Sequence, residues 1–187
     1  MNKYLQKQSI LQNQAKEILR DLELMKSLKK CGNPVFVGSY ALGLMSCFDI
    51  DIVVISNPKV ENYLKVVKYL FPKQNIYSLS LQDFRKSIHS DRPQGLYCGI
   101  KYLVKPKTLW NIDIWFLQDT KAIELVDRVK SKLTNENRLI ILKIRNEMRE
   151  KTKLDEEVSG SEVYEAVLDN GVRNLEEFKK FLNKRSK

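Results

Sequence analysis

Three aspartates interrupt stretches that otherwise read as buried strand, and they constrain this chain more than any other feature. Asp49-Ile50-Asp51-Ile52 alternates acid with isoleucine, and Ile112-Asp113-Ile114 repeats the pattern much later. In a strand, residues i and i+2 share a face, so Asp49 and Asp51 project together while Ile50 and Ile52 enter the opposite, apolar side. Like charges side by side in a partly desolvated position repel; they take up protons, find basic partners or bind metal. If the strand of Asp113 pairs near Asp49 and Asp51, all three acids meet. Hard carboxylate oxygens of this kind suit magnesium or manganese, and two such ions roughly 3.5–4 Å apart clamp a phosphoryl transfer.

Upstream, the strand Val35 to Val37 delivers a Gly38-Ser39 turn, with a short helix expected from about Tyr40. Gly38 lets backbone approach a phosphate closely, and the Ser39 hydroxyl and amide can donate to it. A Gly-Ser turn after a strand, then Asp-x-Asp, then a single Asp on a later strand resembles the polymerase-beta-like nucleotidyltransferase superfamily, over roughly residues 34 to 117. The Leu42 to Met45 stretch and the Trp110 to Phe116 strand are similar to a set of small, largely uncharacterised predicted nucleotidyltransferases.

The resemblance implies an α+β nucleotidyltransferase fold, a mixed β-sheet flanked by helices. It implies that Gly38 and Ser39 hold the triphosphate of a nucleoside triphosphate, and that Asp49, Asp51 and Asp113 hold two divalent ions, Mg2+ or Mn2+. The implied reaction moves a nucleoside monophosphate to a hydroxyl and releases pyrophosphate. Asp113 is the candidate to help take the proton, and Lys101 the candidate to steady the pyrophosphate. The acceptor stays open between an RNA end, a small molecule such as an aminoglycoside, and a protein side chain. The chain departs from the common pattern at Leu42, where many members have Arg, and at Phe48, where many have a small polar residue. Neither departure removes a metal ligand, but both leave the nucleotide choice open. Two other readings remain: a nucleotide-fold regulatory or antitoxin-like module, and an RNA-binding protein without catalysis.

The remaining chain reads as helices and short strands. Ala15, Ile18, Leu22, Met25 and Leu28 mark one face of an N-terminal helix running from Leu11 to the Cys31-Gly32-Asn33-Pro34 stop. The strand from Asp49 to Ile55, a helix over Val60 to Phe71 and a strand over Ile76 to Leu81 follow, then a polar helix or loop from Asp83 to Pro93. Leu96 to Val104 and Thr108 to Leu117 read as a hairpin around Lys105-Pro106-Lys107. On its second strand Trp115 shares the Asp113 face, as base platform or as packing. Helices follow around Ala122 to Leu133 and Leu139 to Met148, then a charged connector from Glu150 to Glu157. Ser159-x-x-Glu162 and Asn174-x-x-Glu177 are capping signals for a closing helical pair whose Tyr164, Val167, Leu168, Leu175, Phe178 and Phe181 cover the sheet or meet a protein partner. The organisation expected is a core over residues 1–119 and a C-terminal helical extension over 120–187, packed on it.

Composition narrows the class. With 187 residues, the chain suits a small catalytic core with an extension. The longest apolar runs, Ile52 to Ile55 among them, are only four residues and far short of a membrane span, and the first residues carry no secretory-type stretch, so a cytoplasmic setting is expected. Cys31, Cys47 and Cys98 lack metal or disulfide spacing, and the single His89 sits in a polar stretch without a partner, which leaves carboxylates as the candidate bases. Residues 1–119 hold 17 Lys and Arg against 10 Asp and Glu, and residues 120–187 hold 16 against 13. An excess of this kind favours anionic partners such as nucleotides and RNA.

Overall fold

Strands of alternating burial are the scaffold. The structure is a computed structural model that describes residues 2–57, 59–86, 92–105, 107–151 and 158–185. Its elements are α1 (Lys3–Asp21), α2 (Leu24–Leu28), β1 (Asn33–Val37), α3 (Gly38–Leu42), β2 (Asp49–Ile55), α4 (Val60–Leu70), β3 (Ile76–Asp83), β4 (Leu96–Lys105), β5 (Thr108–Leu117), α5 (Lys121–Lys132), α6 (Asn135–Lys151), α7 (Gly160–Leu168) and α8 (Leu175–Arg185). His89 and the middle of the expected polar segment (87–91), Pro106 of the hairpin turn, and connector residues 152–157 lie outside the described residues.

The five strands form one mixed sheet in the order β1-β2-β5-β4-β3. β2 and β5 pair in parallel, and the other neighbours pair antiparallel. Ile50, Ile52, Val54, Ile112, Ile114 and Phe116 all face one side, where they are essentially fully buried against α1, α2 and α4. The other side presents Val37, Val53 and Leu117 to a second core built from α5, α6, α7 and α8. Tyr164, Val167, Leu175 and Phe178 are buried in that second core, so the closing helical pair covers the sheet. Among the described residues, no helix is long and apolar enough to cross a membrane.

One expectation is corrected. The N-terminal helix begins at Lys3 rather than Leu11 and does not run through to Cys31. It stops at Asp21, and Glu23 adopts a left-handed backbone with φ of 46° before α2 begins. Leu22 and Leu24 are both fully buried, and residues two apart cannot share one helix face. Burying both requires the break. The cap signals do form: Ser159 and Glu162 make a reciprocal capping box, and the Asn174 side chain accepts from the Glu177 N–H at 3.0 Å.

Candidate active site

The site is assembled by register. Parallel pairing sets Asp51 opposite Asp113 and Asp49 opposite Asn111, so the three acids lie on one face of two adjacent strands. One carboxylate oxygen from each of Asp49, Asp51 and Asp113 lies within 4.8 Å of the others. Among the described residues, no Lys or Arg forms an ion pair with any of the three. Burial and, next, the Asp113 charge push the Asp49 carboxyl up to about 6, against the pull of Arg145, Arg149 and Lys101. Asp51 is pushed up to about 8, by burial first and then by Asp49 and Asp113. Burial also raises Asp113, opposed by a hydrogen bond from the Tyr97 hydroxyl at 2.7 Å. Crowded, half-buried carboxylates without a cationic partner are a donor set that suits a small, hard divalent ion.

The Gly-Ser turn abuts this cluster. Gly38 has φ of +60°, and a Cβ placed on it would lie 2.1 Å from Asp51 Oδ2, so only glycine leaves the carboxylate its place. Ser39 is buried and lines a cleft of about 380 Å³ together with Asp49 and Asp51. The turn is held from behind, where Arg138 Nη1 donates to the carbonyls of Leu42 at 3.0 Å and Gly43 at 2.7 Å. Trp115 lines the same cleft and also packs against Tyr97 and Phe84, with ring centroids 4.9 Å and 5.5 Å away.

Lys101 lies beside the acids rather than in the cleft, and its charge acts on Asp49 and Asp113. It stands on β4 opposite Asn111, exposed, with its ammonium donating to Asn111 Oδ1 at 2.6 Å, and it does not line the cleft. The basic group that does line it is Arg145 of α6, which is buried and has no carboxylate partner among the described residues. Its Nη1 donates to the Tyr164 hydroxyl at 3.0 Å and, more weakly, to the Leu44 carbonyl. Ser159, Gly160 and Ser161, at the start of α7, also line the cleft. Sequence reasoning missed both Arg145 and Tyr97. An arginine inside the apolar stripe Leu142, Arg145, Met148 was a readable signal, whereas the Tyr97 contact depends on the β4–β5 register.

No protein-family model and no curated protein sequence matches the chain. Solved structures do. The Cid1 poly(U) polymerase bound to magnesium and 3'-dATP aligns with a TM-score of 0.59 at 16% identity, covering 84% of this chain and 48% of that one. A second Cid1 structure gives 0.57 at 16% identity, covering 89% and 53%. A cytoplasmic RNA terminal U-transferase gives 0.56 at 16% identity, covering 84% and 46%. The chain has the nucleotidyltransferase fold. It spans about half the length of these proteins. The cleft is lined by Asp49, Asp51 and the Gly38-Ser39 turn and also by the apolar Val53, Leu117, Ala122 and Val126.

Proposed function

We propose that this chain is a divalent-metal-dependent nucleotidyltransferase that moves a nucleoside monophosphate from a nucleoside triphosphate to an acceptor hydroxyl. The observation that carries the reading is the convergence of Asp49, Asp51 and Asp113 beside the Gly38-Ser39 turn, without ion pairs among the described residues. These three residues would hold the metal, Mg2+ or Mn2+, which supplies charge neutralisation on the phosphates and a lowered pKa for the acceptor hydroxyl.

The residues of the chain divide the remaining work. The backbone at Gly38 and the Ser39 hydroxyl receive the triphosphate, and Arg145, lining the same cleft and without an ion pair among the described residues, offers it a counter-charge. Lys101, next to Asn111, lies at the outer edge of the site and adds positive potential there. The acceptor oxygen attacks the α-phosphorus, the bond from that phosphorus to the oxygen bridging the β-phosphorus breaks, and pyrophosphate leaves with the electron pair. Asp113 helps take the hydroxyl proton, and the Tyr97 hydroxyl that donates to it orients it.

Incubation with α-labelled nucleoside triphosphates, magnesium or manganese, and RNA or lysate tests the reading. Labelled acceptor is expected, and Asp113→Asn is expected to abolish it while leaving the thermal transition intact. Labelling by Asp113→Asn at the parental rate would refute the assignment. Nucleotide binding with no acceptor labelled under any condition would favour a regulatory module.

A further inference from the structure

One hydroxyl of the protein already reaches the acidic cluster. Tyr97 stands on β4 opposite Trp115, and Gly99, two residues on, stands opposite Asp113, so the Tyr97 side chain lies on the acid-bearing face of the sheet. It leans over Gly99, where a Cβ would come within 2.5 Å of its hydroxyl, and donates to Asp113 Oδ1 at 2.7 Å. Among the described residues, no other hydroxyl bonds to Asp49, Asp51 or Asp113. Packing fixes the ring in this pose. It rests on Trp115 with centroids 4.9 Å apart, Trp115 rests on Phe84 at 5.5 Å, and Arg92 lies over Phe84 at 5.1 Å. From the opposite face of the sheet, the Tyr63 hydroxyl donates to the Tyr97 carbonyl at 2.6 Å and pins the strand. Tyr97 itself is only half-buried.

This placement meets the requirement set for an acceptor. A general base takes a proton only from a hydroxyl within hydrogen-bond reach, about 2.6–3.2 Å between heavy atoms. Tyr97 satisfies that condition toward Asp113, the residue read above as receiving the acceptor's proton. The nucleotide side of the geometry is adjacent. Trp115, on which the Tyr97 ring rests, lines the cleft together with Ser39, Asp49 and Asp51, so the phenol adjoins the space assigned to the triphosphate. A tyrosine oxygen is among the protein nucleophiles that form covalent adducts once a base stands beside it. Any external acceptor has to bring its own hydroxyl to the same carboxylate. Tyr97 therefore competes with it for the place.

We propose that Tyr97 is a self-modification site: with a nucleoside triphosphate bound and no external acceptor in place, the chain transfers the nucleoside monophosphate to its own phenol. The Tyr97 Oη attacks the α-phosphorus and an O–P bond forms, the bond from that phosphorus to the oxygen bridging the β-phosphorus breaks, and pyrophosphate leaves with the electron pair. The phenol proton passes to Asp113. Asp113 then has no hydroxyl donor in Tyr97, and the attached nucleotide stays beside the cleft, so the modified chain is silenced for transfer to other acceptors.

The proposal rests on the nucleotidyl-transfer reading, and its test separates the two. The full chain is incubated with manganese and each common nucleoside triphosphate, without acceptor, and followed by intact-mass and tandem mass spectrometry. A gain of one nucleoside monophosphate per chain, located on Tyr97, is expected. The rate per molecule should not change with protein concentration, because nucleophile and site share one chain. Tyr97→Phe and Asp113→Asn are expected to lose the adduct, whereas Tyr77→Phe, which removes a tyrosine hydroxyl from a 68% exposed position on β3, is expected to keep it. Protein carrying the adduct is expected to lose labelling of RNA or lysate in proportion to the fraction modified. An adduct on any other residue, an adduct on Tyr97→Phe at the parental rate, a rate per molecule that rises with protein concentration, or full transfer by the modified chain would overturn the proposal. No adduct with any nucleotide while RNA or lysate becomes labelled would sink self-modification and leave the transfer reading. Neither adduct nor labelled acceptor would sink both.

Discussion

Removing one charge from the acidic cluster is expected to stabilise the metal-free protein at alkaline pH. In the folded chain Asp49 is held up to about 6 and Asp51 up to about 8, whereas an unfolded carboxyl titrates near 3.8. Between those limits the folded state holds protons that the unfolded state has released, so stability falls as pH rises through the folded values. Asp51 retains its proton across about three of the pH units between 5 and 8.5, which corresponds to about 4 kcal/mol. For a chain of this size that is a shift of about 8–16 °C in the thermal midpoint. Asp51→Asn keeps the shape and removes the charge, so in EDTA its margin over the parent should be least at acid pH, near the unfolded value, and should grow by about that amount between pH 5 and pH 8.5. Adding millimolar manganese at pH 8.5 should reverse the order, because cation binding stabilises only a protein that has the ligands. Differential scanning fluorimetry across pH, with and without metal, reads all of this. A difference that does not vary with pH, or an Asp51→Asn variant less stable than the parent at pH 8.5 in EDTA, would refute the reasoning.

Two further substitutions probe the groups that frame the acids. Gly38→Ala forces an L residue to φ of +60° and sets a methyl 2.1 Å from Asp51 Oδ2, so about 1–2 kcal/mol of stability should be lost, with transfer falling about 100-fold, read by thermal unfolding and labelling. Tyr97→Phe removes the hydroxyl that donates to Asp113 and pulls its pKa down, so the acidic limb of the activity profile, and of manganese-induced stabilisation, should move to higher pH with the fold unchanged. An unshifted limb would show that this bond does not govern Asp113.

What could be read from the chain alone followed locality. β2 was legible to the residue because acid and isoleucine alternate along it and its two faces meet opposite environments. The Gly38-Ser39 turn and the Ser159 capping box were legible because each is closed by residues a few positions apart. The break at Glu23 was hidden by a helical stripe that runs on through Leu28, and only the double burial of Leu22 and Leu24 betrays it. Tyr97 was hidden for another reason, and Arg145 was legible only as a charge inside an apolar stripe, without its place in the site. Their roles depend on which helix returns to cover the sheet and on the β4–β5 register, and neither is encoded within one window of sequence.

The same alternation that made β2 legible explains how the fold tolerates its site. Repulsion and desolvation among three carboxylates work against the register that brings Asp51 opposite Asp113. On the reverse face of those residues, Ile50, Ile52, Ile112 and Ile114 are fully buried, each contributing about 1.5–3 kcal/mol. A slip of β5 by one residue would turn Ile112 and Ile114 to the cleft side while carrying Asp113 away from Asp49 and Asp51, so the apolar face outweighs the penalty on the polar one. Gly99 completes the arrangement from the neighbouring strand: it lies opposite Asp113, and a Cβ there would come within 2.5 Å of the Tyr97 hydroxyl, so its absence leaves the tyrosine its route to the carboxylate. The acids are therefore held together by burial on the opposite side of their own strands, so protons or a cation would relieve the cluster without being required to form it.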